Sequence, residues 1–244
     1  MRSLSRWAPV VALAFMSTPA TGIGAPELPV CRVATTRPVV GLSFDDGPDA
    51  ETTRAAISLL RRHRARATFF LVGERAARWP VIVEDLRAGG HEVANHTWAH
   101  VVPAGLGPRH SAEEIRRADR VLVDAARLFR PPHGRIDVDG LRAAEYAGLT
   151  TVVWSVAVER HSLARGPDAA SRGLLDRIAP GDIVLAHEAV PGTLGALDLV
   201  LEGLEARGMR AVPVGELLRA GRPVRAVPVD GPLGAGNTRY VCPG

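Results

Sequence analysis

Pro38-Val39-Val40-Gly41-Leu42-Ser43-Phe44 is a compact apolar run that stops at Asp45-Asp46-Gly47-Pro48. Asp-Gly and Gly-Pro mark a turn, so the run reads as a buried strand ending in a loop. The next segment, Glu51 to Arg64, carries Ala55, Ala56, Leu59 and Leu60 at helical spacing. Ala67 to Val72 (ATFFLV) is again strand-like. Trp79 to Ala88 is helical and stops at Gly89-Gly90, and His91 to Ala94 is a short strand.

The alternation continues to the far end. A helix starts at Ser111, with Glu114 three residues on as a capping box. Helices follow at Leu141 to Ala147, Ala169 to Ile178, Leu194 to Ala206 and Glu216 to Ala220. Strands are expected at Thr150 to Val156, Asp182 to Ala186 and Ala211 to Val214. Strand and helix alternate about seven times, which points to an α/β fold with a parallel sheet, either a barrel or a doubly wound sheet. In both, functional groups gather at the carboxyl ends of strands.

The chain has 244 residues, 46% hydrophobic and 23% charged, which fits a single domain with a sizeable core. The formal charge of +4 comes from an excess of basic residues, nearly all arginine. The arginines are scattered, and no helix-turn-helix, RNP-type or zinc-finger pattern is present, so nucleic acid is excluded as a partner. Arg2 and Arg6 precede an apolar stretch from Trp7 to Met16 and then small residues, the layout of a signal peptide over 1–25. Export follows, to the periplasm or beyond, with no membrane span after cleavage. Cys31 and Cys242 lie near the ends of the mature chain, and in an exported protein they are expected to form a disulfide.

The polar candidates fall where the strand-end rule wants them. His96 and His100 are four apart, so one helical turn sets both rings on one face. With a carboxylate, two imidazoles make a common divalent-metal site, although a lone H-x-x-x-H more often marks surface histidines. Asp45-Asp46 alone reads as a turn, yet adjacent acids at a strand end repel. A metal held by one of them relieves that repulsion and leaves the other free as a base. His187 ends the strand DIVLA.

Together the pieces are specific. Phe44-Asp45-Asp46-Gly47-Pro48, then Gly90-His91-Glu92-Val93-Ala94-Asn95-His96-Thr97-Trp98-Ala99-His100, then Arg130-Pro131-Pro132-His133-Gly134, then Leu185-Ala186-His187 occur in that order. This series resembles the polysaccharide deacetylases, carbohydrate esterases with a NodB-like domain. The resemblance covers 37–220, leaving an N-terminal extension at 26–36 and a Pro/Gly-rich tail at 221–244.

It implies a distorted (β/α) barrel of about seven parallel strands and removal of N-acetyl groups from amino sugars of a glycan outside the cytoplasm. By the same resemblance Asp46, His96 and His100 hold a divalent metal, most often zinc, and Asp45 is the general base. Arg130 pairs with Asp45, and His187 is the general acid.

Two departures stand out. The third motif usually ends in an aromatic residue, and His133 here alters a groove wall that contacts substrate. In the run Ser155 to His161 the acid that supports the catalytic histidine is replaced, at Arg160; Glu159 and Asp182 are the candidates to take its place. Trp98 either stacks on a sugar or packs under its loop. Competing readings are a sugar O-deacetylase on the same scaffold and a catalytically impaired glycan-binding protein. They are separated by whether a carboxylate reaches His187.

Overall fold

A computed structural model describes residues 24–159, 167–229 and 238–243 of the chain. The expected signal segment, apart from its last two residues, and Arg160 and His161 lie outside them.

The apolar run forms β2 (Val39–Asp45), buried at every position. Around it are β3 (Thr68–Leu71), β4 (Glu92–Asn95), β5 (Leu128–Phe129), β6 (Thr150–Thr151), β7 (Val156–Ala157), β8 (Ile183–Ala186) and β9 (Arg210–Val212). These strands form one sheet in the order β6-β5-β4-β3-β2-β8-β7, with β9 pairing the first half of β2. Every pairing in it is parallel. The helices that separate these strands include α1 (Thr52–Arg62), α3 (Pro80–Ala88), α4 (Pro108–Val121), α5 (Val138–Tyr146), α6 (Pro167–Leu175) and α7 (Thr193–Ala206).

The sheet curls because β6 and β7 are two parts of one segment. Val152 donates its N–H to Phe129 on one side, while Ser155 and Val158 donate to Ile183 and Leu185 on the other. The segment therefore joins the two ends of the curl, which makes the fold a distorted (β/α) barrel of seven strands. Its break at Val153 is filled by β1 (Val30–Ala34), whose Val30 carbonyl accepts the Val153 N–H at 2.8 Å.

Side chains alternate across each strand. Val40, Leu42 and Phe44 face the helices and pack with Leu59, Leu60 and Leu201. The Phe44 and Phe69 rings stack at 4.8 Å. Burying one such ring contributes roughly 1.5–3 kcal/mol. Val39, Phe70, Ala94 and Ile183 face the barrel interior, which Val214 and Leu217 of α8 (Val214–Leu218) fill. Gly41 faces the same way, and a Cβ there would meet Leu217 at 2.8 Å. By this alternation Ser43 and Asp45 point into the barrel.

Some expectations need correction. Helix α4 begins at Pro108, so Ser111 lies inside it and caps nothing. Thr150 to Val156 is a strand broken in the middle, not one continuous strand. Helix α2 (Gly73–Arg78) and strand β1 carry no strong periodic signal, because they are short and held by tertiary pairing. The tail is also more structured than its composition implies. Its strand β10 (Arg222–Arg225) pairs with β1, and β11 (Val227–Val229) pairs with β12 (Arg239–Val241). The disulfide Cys31–Cys242 is present, with Cα atoms 5.5 Å apart.

Candidate active site

Asp45, Asp46, His96, His100, His133, Trp154, Leu185 and His187 line one cavity of about 210 Å3 at the carboxyl ends of the strands. Asp45 is almost wholly buried. Arg130, which directly follows β5, reaches across the interior to it. Its Nη1 donates to Asp45 Oδ1 at 2.7 Å and to Ser43 Oγ at 2.8 Å. Its Nη2 donates to the Val153 carbonyl, which the strand break makes available. The guanidinium also sits 4.1 Å from the centre of the Phe70 ring and 5.7 Å from that of Trp154.

Asp46 has φ 75°, a left-handed conformation that aspartate tolerates better than most residues. That turn swings its carboxylate away from the Asp45 side of the strand. Arg75 Nη1 holds the Asp46 carbonyl at 2.6 Å. Asp46 Oδ1 lies 3.3 Å from His96 Nε2 and 2.9 Å from His100 Nε2. Burial works against the Asp46 charge, but the contacts with His100 and His96 outweigh it and hold the carboxyl well below the usual range.

The segment from His96 to His100 is a loop, not a helical turn. Thr97 and His100 have φ of 65° and 58°. Asn95 Oδ1 accepts the Thr97 N–H at 2.9 Å, a side-chain turn that starts the loop. Gly73 and Glu74, opening α2, donate their N–H groups to the Thr97 and Trp98 carbonyls. Glu114 Oε2 accepts the N–H groups of Trp98 and Ala99. The residue expected to cap α4 instead ties down this loop.

The donors of Asp46, His96 and His100 lie within 4.8 Å of one another and are the group among the described residues suited to hold a metal ion. His96 Nδ1 is 2.7 Å from the Arg130 carbonyl. A carbonyl only accepts, so Nδ1 carries the hydrogen and Nε2 keeps its lone pair for the site. Two imidazoles and a carboxylate suit a borderline divalent ion such as zinc.

Across the cavity, His187 follows β8. Its N–H donates to Glu159 Oε1 at 2.7 Å, and the same oxygen is 3.4 Å from Nδ1. Thr193 Oγ1 donates to that oxygen as well. Burial alone would lower the His187 pKa, but the Glu159 hydrogen bond, with Asp45 and Asp46 nearby, raises it to about 9. Asp182 is engaged elsewhere: it accepts from Ser155 Oγ and from the Ala179 N–H.

His133 has φ 58°, and its ring centre is 5.1 Å from that of His100. Burial, then His100, lowers its pKa. Trp98 lies away from the cavity, with the Arg117 guanidinium 4.0 Å from its ring centre and Gly73 beneath it.

Sequence reasoning missed Glu188. It is only 4% exposed, and it accepts a hydrogen bond from Thr53 Oγ1 at 2.9 Å. It fits because Gly47 has no side chain: a Cβ there would meet Glu188 Oε1 at 2.6 Å. Burial raises its carboxyl to about 7. Nothing in its spacing marks it, since its burial depends on two loops meeting.

Comparison with known proteins decides the family. The sequence model of the family described as polysaccharide deacetylase matches residues 32–152. The chain is 34% identical over 188 residues to a peptidoglycan-N-acetylglucosamine deacetylase of Bacillus cereus, covering 74% of this chain and 88% of that protein.

The chain belongs to the polysaccharide deacetylase family.

A chitooligosaccharide deacetylase of Sinorhizobium fredii is 34% identical over 204 residues, covering 75% of this chain and 94% of that one. A Bacillus anthracis pseudoenzyme of carbohydrate esterase family 4 superposes with a TM-score of 0.73 at 25% identity, covering 81% of this chain and 71% of that one. Polysaccharide deacetylases are hydrolases, but the last relative makes the state of the site here the deciding matter.

Proposed function

We propose that this polysaccharide deacetylase is a divalent-metal-dependent, extracytoplasmic enzyme that removes N-acetyl groups from the amino sugars of peptidoglycan or a chitin-like glycan. The observation that carries the reading is the completeness of both halves of the site. Asp45 is paired with Arg130 beside the Asp46, His96 and His100 cluster, and a carboxylate, Glu159, reaches His187 on the other side. That contact favours catalysis over a glycan-binding role. Export is supported by the signal layout, by the disulfide and by the relatives' wall and oligosaccharide substrates. No described helix is long and apolar enough to cross a membrane. We place the catalytic domain at 37–220.

Asp46, His96 and His100 hold the metal, which we assign as zinc. When bound, it supplies Lewis acidity toward an acyl oxygen and lowers the pKa of a water toward about 7.

The chain's own groups do the proton work. Arg130 occupies Asp45 Oδ1, which leaves Oδ2, 4.0 Å from His96 Nε2, to take the proton of the attacking water. Glu159 orients His187 through Nδ1, so Nε2 faces the substrate. With its pKa near 9, His187 is a cation at neutral pH and ready to protonate the departing amine. The His133 N–H has no partner among the described residues, and we assign it to steady the developing oxyanion. The products are acetate and a free amino sugar.

The test is acetate release from N-acetylglucosamine oligomers and peptidoglycan, with and without chelator, with O-acetylated sugars as a comparison. Asp45→Asn should keep the metal and lose turnover, whereas His96→Ala should lose the metal. Equal release in chelator, or full rate from Asp45→Asn, would overturn the proposal.

A further inference from the structure

A second cavity, of about 200 Å3, adjoins the catalytic one. The two share His133 and Trp154 as a common sill. The far wall of the second cavity comes from Arg177, just after α6, and from Arg239 and Tyr240 of β12. That strand is positioned from several directions. Cys242 is bonded to Cys31, β12 pairs with β11, and Ile136 donates its N–H to the Thr238 carbonyl beside it.

The wall is electrostatically unbalanced. Among the described residues Arg177 and Arg239 make no ion pair and no side-chain hydrogen bond, and no carboxylate lines the cavity. Other arginines of the chain do find acids: Arg225 meets Glu27, and Arg66 meets Glu216. Tyr240 adds a hydroxyl donor, since burial, then Asp137, raises its pKa and keeps it protonated. Ser155 Oγ, which also lines the cavity, is engaged: it donates to Asp182 and accepts the Ile183 N–H at 3.1 Å. The cavity thus offers two guanidinium groups and a phenol as donors, with the Trp154 ring also in its lining. A planar carboxylate matches a guanidinium with two parallel hydrogen bonds, which an ammonium cannot reproduce.

We propose that this cavity is a subsite for the acidic sugar next to the one being deacetylated, with Arg177 and Arg239 receiving its carboxylate. The inference rests on the deacetylase reading and narrows it: the preferred substrate is a glycan with free carboxylates, such as peptidoglycan strands stripped of their stem peptides, whose lactyl carboxylates are exposed, over neutral chitin-like chains. Arg177 and Arg239 determine specificity; they do not touch the reacting atoms.

The experiment compares three disaccharides: N-acetylglucosamine linked to N-acetylmuramic acid, the same compound as its methyl ester, and the neutral N-acetylglucosamine dimer. Calorimetry with the full chain should show the acid bound about tenfold more tightly than its ester, the worth of one charge-assisted hydrogen bond. Arg239→Gln and Arg177→Gln should each erase most of that preference. In turnover, the ratio of kcat/KM for acid over neutral dimer should fall about tenfold, through KM. A variant that loses affinity for all three alike, or for none, would overturn the subsite. Acetate release is read separately: calorimetric discrimination without acetate from any substrate would sink the deacetylase reading and leave the subsite standing.

Discussion

Arg130 donates to Asp45 at 2.7 Å from a position where the guanidinium is wholly buried and the carboxylate 4% exposed. Such a pair is costly to assemble and more costly to break. Arg130→Met strands the Asp45 charge in the barrel and should cost about 3–5 kcal/mol in denaturant unfolding, with loss of turnover. Adding Asp45→Asn should recover part of the stability and none of the activity. Single and double variants of equal stability would show that the pair is not coupled.

Glu159 sets the protonation of His187. In Glu159→Gln the histidine keeps its burial and loses its main raising partner, so its pKa should fall from about 9. The alkaline limb of the rate profile should move to lower pH, and the ring's NMR titration should move with it. A limb that stays put while the ring titration shifts would mean that His187 is not the acid.

Glu188 should make stability fall as pH rises. Its folded pKa of about 7 lies above its ordinary 4.5, so the folded state binds the proton more tightly. That contribution is full below about 4.5 and is lost as pH climbs through 7. His187 adds a second loss of the same sign, between its ordinary 6.5 and about 9. Unfolding free energy measured from pH 4 to 8 should slope downward in the first window, and Glu188→Gln should flatten that slope.

Glu114 should matter for metal affinity without touching the metal. Glu114→Ala frees the N–H groups of Trp98 and Ala99 and loosens the loop carrying His96 and His100. Affinity for zinc should drop roughly 10–100-fold by calorimetry, as for other supporting groups of metal sites. An unchanged affinity would show that the contacts of α2 suffice.

The Cys31–Cys242 bridge spans 211 residues. Its loss releases almost the whole chain from a closed loop, worth roughly 5 kcal/mol of unfolded-state entropy. Replacing both cysteines with serine should lower the unfolding free energy by several kcal/mol. A change under about 1 kcal/mol would mean that β1 and the C-terminal strands hold without it.

The sequence by itself determined the alternation of strands and helices, the family, and the positions of Asp45, Asp46, His96, His100 and His187 at strand ends. Those features are local: apolar periodicity and turn residues are set by neighbours in the chain. It did not reveal that His96 and His100 share a loop with left-handed residues, because their spacing fits a helix equally well. It left Glu159 and Asp182 as equal candidates beside His187. Tertiary structure chose between them, since β7 runs beside β8 and delivers Glu159 to the strand end, while Asp182 sits at the opposite end of β8 with Ser155. The burial of Arg130 and Glu188, and the cavity walled by β12, were likewise decided only by folding, because each depends on segments far apart in sequence meeting where water is excluded.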